Sequence, residues 1–257
     1  VNIVKSTGRP APILVLYGAE GRGKTTLASK FHKPLFFDLE RGLPRGVSVD
    51  TVQGSFNFST FMAAVREIHT GELGYETLVV DTVDSVEGMI LSHVCAENRW
   101  SSIETPAFGK GWVAADAVWR KFLGALAAIR GKHGMTIVLV GHSTVERVED
   151  PRAPSYTSYA LRLHKRARAL VMDAADIVGF LAEDLRIVTE DAGFNRERTR
   201  ADAAPTRYLF VEGRPAFAAK NRFDMPSKIE IRKDFDIAGL TKFFTTPAAA
   251  KEVPNNG

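Results

Sequence analysis

Pro12-Ile-Leu-Val-Leu-Tyr17-Gly18-Ala-Glu-Gly-Arg-Gly23-Lys24-Thr25-Thr26 is the stretch whose reading decides the fold. Pro12–Tyr17 is a short apolar run ending at a glycine, the mark of a buried strand. Gly18–Thr25 then fits G-x-x-x-x-G-K-[ST], and Lys24–His32 reads as a helix that stops before Pro34. Glycines at this spacing let successive backbone N–H groups turn inward around a phosphate, and the helix that follows presents its positive end. Lys24 is then placed to bridge β- and γ-phosphate oxygens, and the Thr25 hydroxyl to ligate Mg²⁺. The stretch implies a nucleoside triphosphate, expected to be ATP, with magnesium. Its binding residues are Gly18, Glu20, Gly21, Arg22, Gly23, Lys24, Thr25 and Thr26. With glycine at about 7% of positions, the pattern arises by accident in roughly 1% of chains this long. The strand before it and the helix after it make accident rarer still.

Working outward, Leu35–Asp38, Thr77–Val80 and Thr136–Val140 are further apolar runs of strand length. Phe58–His69, Val83–Glu97 and Trp112–Arg130 carry apolar residues at helical spacing between them. Alternation of this kind implies an α/β fold, a mainly parallel central sheet with helices on both faces. Val47–Val52 is a candidate strand, and Arg99–Gly111 reads as a mobile loop. After Gly141 the pattern changes to a polar loop with Pro151 and Pro154, then a basic helix around Tyr159–Met172. Asp176–Ala182, Leu185–Thr189, Arg207–Val211 and Ile229–Ile231 are short strands expected to add antiparallel to the sheet, with a last helix at Ile237–Phe244. One domain is expected over residues 1–245, and a disordered tail over 246–257, where apolar content is too low to pack.

Bulk composition excludes little but bounds the setting. The chain has 257 residues, 45% of them apolar and 25% charged, which suits a globular domain. No apolar run approaches the ~20 residues that span a bilayer. The single cysteine, Cys95, and the lack of an export signal imply a cytoplasmic protein with no membrane partner. A net charge of +4 permits a polyanionic partner without requiring one. The cations cluster in Arg162-Leu-His-Lys-Arg-Ala-Arg168 and alternate at Arg196, Arg198 and Arg200. A solvated surface and a nucleic-acid contact both remain open for them.

Two acidic strand ends complete the candidate site. Asp81 closes the run Thr77-Leu-Val-Val-Asp81 and is suited to the metal shell beside Thr25. Asp84, three residues on, reads as an acid favoured at a helix N-terminus. Asp38-Leu39-Glu40 follows another strand, where a carboxylate can polarise an attacking water.

This order of motifs resembles the RecA/RadA recombinase superfamily, which implies a RecA-like P-loop core. There a D-x-E after the strand supplies the water-activating glutamate, which falls on Glu40. Asp81-Thr82 is similar to the family's next acidic strand end. In Leu139-Val140-Gly141-His142-Ser143 the position of the γ-phosphate-sensing residue, usually Gln, holds His142. Ala219-Lys220-Asn221-Arg222 with Pro226 resembles the segment whose two cations reach a neighbour's γ-phosphate. The resemblance thus implies catalytic roles for Glu40, Lys24, His142, Lys220 and Arg222, the last two in trans within a homo-oligomeric ring or filament. Alternate residues on a strand share a face, which suits the K-x-R spacing to one phosphate.

KPLFFDLERG, VLVGHS and AKNRFDMP together look most like the phage-encoded RecA-core ATPases associated with single-strand annealing, the Sak group. That resemblance covers about residues 10–245. It implies an ATPase stimulated by single-stranded DNA in recombination or annealing, acting in the host cytoplasm, with a phage single-strand-binding protein as a further partner. By order along the chain, Arg99–Gly111 and Ser143–Tyr159 would be the DNA loops. The expected contacts are Arg147, Arg152, Tyr156, Arg162, Lys165 and Arg166, cations for phosphates beside a ring for base stacking. The competing readings are a helicase-type motor, a small-molecule P-loop kinase using Arg196–Arg200 as a lid, and a nucleotide switch that does not act on DNA.

Overall fold

The computed structural model describes residues 10–151, 154–191 and 197–244. Arg152, Arg196 and the expected tail 246–257 lie outside the described residues. The centre of the fold is β1 (Ile13–Gly18), buried along its whole length. It lies between β5 (Thr136–Val148) and β7 (Ile177–Asp191), parallel to both. A parallel strand covered on both faces needs apolar side chains at every position, and Ile-Leu-Val-Leu-Tyr supplies them. Beyond β5 follow β4 (Thr77–Asp81), β2 (Pro34–Asp38) and β3 (Asp50–Thr51), all parallel. Beyond β7 the sheet turns antiparallel, with β8 (Glu197–Phe210) and then β10 (Lys228–Ile231). β9 (Lys220–Asn221) pairs antiparallel with the start of β7. This is the α/β architecture expected from the sequence, a mostly parallel sheet with antiparallel C-terminal strands.

Helices cover both faces unequally. α2 (Phe58–Thr70), α3 (Val83–Asn98), α4 (Lys110–His133) and α5 (Lys165–Ala174) share one apolar cluster against Tyr17, Phe37, Val80 and Leu139. Phe61 of α2 meets Phe37 of β2 edge to face at 4.7 Å between ring centres. Truncating such a buried ring to alanine costs about 3–5 kcal/mol. The other face holds α1 (Lys24–Ala28) and α6 (Ala238–Thr241), where Leu27, Phe31 and Leu240 pack on Leu14, Leu16 and Val140.

Four expectations need correction. Ser143–Tyr159 is not a loop: β5 runs on to Val148 and pairs antiparallel with β6 (Tyr156–Leu161). Partly buried and exposed residues alternate along both strands of this hairpin, so one side of it lies on the molecule and the other in water. The basic helix therefore starts at Lys165 rather than near Tyr159. Asp176–Ala182 and Leu185–Thr189 are one strand, β7, with a shift of register between Glu183 and Leu185. Arg99–Gly111 is mostly turns, but it includes a 3-10 turn at Ala107–Gly109, and α4 begins at Lys110.

Candidate nucleotide site

The C-terminal ends of β1, β2 and β4, with His142 midway along β5, open into a cleft of about 450 Å³, the end of a parallel sheet where α/β proteins take ligands. The glycine loop forms its floor. Gly21 and Gly23 have φ of 70° and 84°, a left-handed backbone that glycine adopts without strain. At Gly18 the reason for glycine is different, because a Cβ would overlap the Leu181 carbonyl of β7. Lys24 is buried and donates to the Gly18 carbonyl at 3.0 Å and the Ala19 carbonyl at 2.8 Å, which draws the loop around its ammonium. Burial lowers the Lys24 pKa, and Asp81, Asp84, Glu20 and Glu40 partly restore it. Phosphate oxygens would compensate the lost hydration of that charge.

Thr25, next in α1, donates from Oγ1 to Asp81 Oδ2 at 2.7 Å, which joins the loop to the end of β4. Burial raises the Asp81 pKa. The Thr25 hydrogen bond and Lys24 oppose this, while Glu40 and Asp38 add to it. A buried carboxylate of this kind is short of positive charge. Among the described residues no group of three or more His, Cys, Asp or Glu side chains is placed to hold a metal alone. A hydroxyl and one carboxylate fit magnesium that arrives with its nucleotide, the remaining ligands being phosphate and water. Bound there, the ion would neutralise charge on the phosphoryl oxygens.

Glu40 lies beyond the end of β2 and lines the cleft. Thr82 fixes it, donating from Oγ1 to Glu40 Oε1 at 2.7 Å, while the same oxygen caps α3 by accepting from Ser85 N at 3.4 Å. The Asp81–Thr82 peptide is cis. A half-exposed carboxylate held beside a phosphate loop can take a proton from a water attacking the γ-phosphate.

His142 lines the same cleft. Its backbone N–H donates to Asp84 Oδ2 at 3.0 Å, and its Nδ1 lies 2.9 Å from Arg162 Nη2. Arg162 also donates from Nε to Asp84 Oδ1 at 2.7 Å and faces Glu20 at 3.5 Å. Asp84 is therefore more than a helix-end acid. It and Thr82 belong to the site, yet the sequence alone gives neither a role there, because their partners lie on β5 and just beyond the ends of β6 and β2. Arg207 is a third addition: it lines the cleft from β8 and donates to the Arg22 carbonyl at 3.0 Å. Nothing in the sequence around Arg207 marks it, since its position depends on the β7–β8 register.

Other expected residues fall elsewhere. Arg22 turns its side chain to Glu183 and offers the site only its backbone. Arg162, expected among DNA contacts, bonds Asp84 and the cleft-lining His142. Arg166 grips Asp116 of α4 at 2.9 and 2.5 Å. Arg147 bonds Glu149 and Ser155, Tyr156 is half-buried in β6, and Lys165 is exposed. Lys220 and Arg222 sit at the far end of the sheet, since Lys220 pairs with Val178 at the start of β7. There Lys220 Nζ donates to the Met172 and Asp173 carbonyls at 2.9 and 3.2 Å, and Arg222 faces Asp176 at 3.5 Å. At ~3.3 Å per residue, the four steps from Leu14, which pairs with Ile177, to Gly18 put the loop about 13 Å further along.

With this geometry in view, the sequence pattern of the family described as "AAA domain" matches residues 11–223, most of the chain. The chain belongs to the AAA-domain family. Membership and loop geometry together make it a nucleotide-binding protein of the ATPase class. A curated relative, the SPbeta prophage-derived uncharacterized protein YorG of Bacillus subtilis (strain 168), is 24% identical over 229 residues. The match covers 85% of this AAA-domain chain and 66% of that protein, just under two thirds of its length. The crystal structure of the RadB recombinase is similar with a TM-score of 0.48 at 16% identity, over 87% of each chain. Among the described residues no helix is long and apolar enough to cross a membrane.

Proposed function

We propose that this chain hydrolyses ATP with magnesium and acts on single-stranded DNA, as a phage-type recombination or annealing protein of the Sak group. The observation that carries the hydrolytic half is the Thr25–Asp81 hydrogen bond beside a Glu40 held by Thr82. In this reading Lys24 and Thr25 seat the triphosphate, Asp81 and Thr25 hold the metal, Glu40 accepts the proton of the attacking water, and His142 senses the γ-phosphate. Lys220 and Arg222, too far from their own loop, serve the site of a neighbouring copy and stabilise transition-state charge there. The active form is then a homo-oligomer, ring or filament, in the cytoplasm of a phage host, with a phage single-strand-binding protein as a further partner.

The β5–β6 hairpin supports the DNA half. It extends past the cleft and carries Arg147, Tyr156 and an exposed Tyr159, with Lys165 close behind. Such a surface suits sequence-tolerant single-strand binding. The likeness to a prophage-derived protein points the same way. One observation favours a nucleotide switch without DNA: Arg147, Arg166 and Arg168 already pair with Glu149, Asp116 and Glu146. Turnover of ATP with and without single-stranded DNA, alongside DNA affinity across a salt series, separates the two. Stimulation, and a log K that falls with log salt, support the DNA reading. Turnover indifferent to DNA, with no salt slope, leaves the switch.

A further inference from the structure

A guanidinium carries N–H donors and no acceptor. Arg162 Nη2 lies 2.9 Å from His142 Nδ1, so that nitrogen must accept, and the ring proton belongs on Nε2. His142 Nδ1 also lies 3.5 Å from Asp84 Oδ1 and 3.9 Å from Glu40 Oε1. Both separations are long for a hydrogen bond, and the nearer Arg162 donor occupies the lone pair, so neither acid forms an ion pair with the ring. Asp84 braces the arrangement from below, one oxygen on Arg162 Nε and the other on the His142 backbone N–H.

The same two residues form the root of the hairpin. β5 leaves the cleft at His142, the first rung above it is Ser143 opposite Leu161, and Arg162 N donates to the His142 carbonyl at 2.9 Å. We propose that Arg162 is a positioning residue for His142. It holds the neutral Nε2–H tautomer ready for a γ-phosphate oxygen and ties the hairpin root to the phosphate cleft. This rests on His142 as the γ-phosphate sensor. The charged groups around the ring are Glu40 beyond β2, Asp84 of α3 and Arg162 beyond β6, with Lys24 of α1, Asp38 of β2, Asp81 of β4, Arg207 of β8 and the loop's Glu20 lining the same cleft. Remove Arg162, and the Nδ1 lone pair loses its donor, so nothing selects the Nε2–H tautomer.

The test is the ¹⁵N spectrum of the histidine rings in the whole protein, with His142 assigned by loss of its signals in His142→Gln. The wild type is expected to show an unprotonated Nδ1 and a protonated Nε2 near neutral pH. In Arg162→Ala the ring is expected to mix tautomers, with Nδ1 protonated in part of the population. In the same variant kcat for ATP is expected to fall about tenfold or more with KM little changed. An Nδ1–H tautomer or an imidazolium in the wild type overturns the proposal, and needs no variant to fold. So does an unchanged ring in Arg162→Ala. The spectrum is read without turnover, so a protein that fails to hydrolyse ATP would sink the functional reading while the tautomer still decides this one.

Discussion

Two side chains at the floor of the cleft separate binding from chemistry. Glu40→Gln keeps the shape and the acceptor for Thr82 but removes the base. It is expected to lower kcat by about 10²–10⁴-fold while nucleotide affinity, measured by calorimetry with an ATP analogue and magnesium, stays near wild type. Asp81 makes the opposite trade. Its carboxyl pKa is raised in the fold, chiefly by burial, so the folded state favours the proton. That contribution is present below the ordinary aspartate pKa and is lost as pH rises through the folded value. At neutral pH the ionised Asp81 therefore weakens the ligand-free protein. Asp81→Asn is expected to melt higher than wild type without ligand at neutral pH, and to lose that margin at acid pH. It should also forfeit the stabilisation that magnesium nucleotide gives the wild type. A thermal melt across pH, with and without ligand, reads both effects.

The hairpin and α5 show how one basic string divides its work. In Arg162–Arg168 the chain turns from strand end into helix, and successive cations leave in different directions. Arg162 goes to Asp84 and His142, Lys165 to water, Arg166 to α4, and Arg168 to Glu146 of the hairpin with both oxygens at 2.7 Å. This is why the string could not be read as one surface: its clustering is sequential, and its partners are set by tertiary packing. The strands around the phosphate loop were legible because burial on both faces demands unbroken apolar runs, which turn residues then punctuate. The hairpin was hidden because Glu146 and Arg147 sit mid-strand, and Pro151 and Pro154 mark its tip as if it were all loop. Glu40 and Asp81 were legible as strand-end acids, whereas Asp84, Thr82 and Arg207 needed partners from distant strands. Arg168→Ala is expected to cost about 1 kcal/mol, since Glu146 is 42% exposed and water screens the pair. The loss should be local: amides of Val145–Val148 exchange faster, while those of β1 keep their protection. The Arg168 hydrogen bond lowers the Glu146 pKa. The pair's contribution is thus present above the ordinary glutamate range and fades as pH falls through the lowered value.

At the scale of the molecule, the phosphate loop and the Lys220–Arg222 pair lie toward opposite ends of the parallel strands. In the proposed assembly each copy needs its neighbour's cations, so two defects on different copies should complement. Lys24→Ala cannot seat the triphosphate, and Arg222→Ala cannot complete the site next door. Mixed in equal amounts, they are expected to hydrolyse ATP faster than either alone, in a phosphate-release assay at fixed total protein. A mixture no faster than its components would leave Lys220 and Arg222 with their structural partners only, the α5 carbonyls and Asp176. The spacing of loop and cations also gives any such stack a direction. Copies join head to tail, and an open row strands one idle loop at its terminus, whereas a closed circle strands none. Specific activity that keeps climbing with concentration would betray a row, and a sharp plateau would betray a circle.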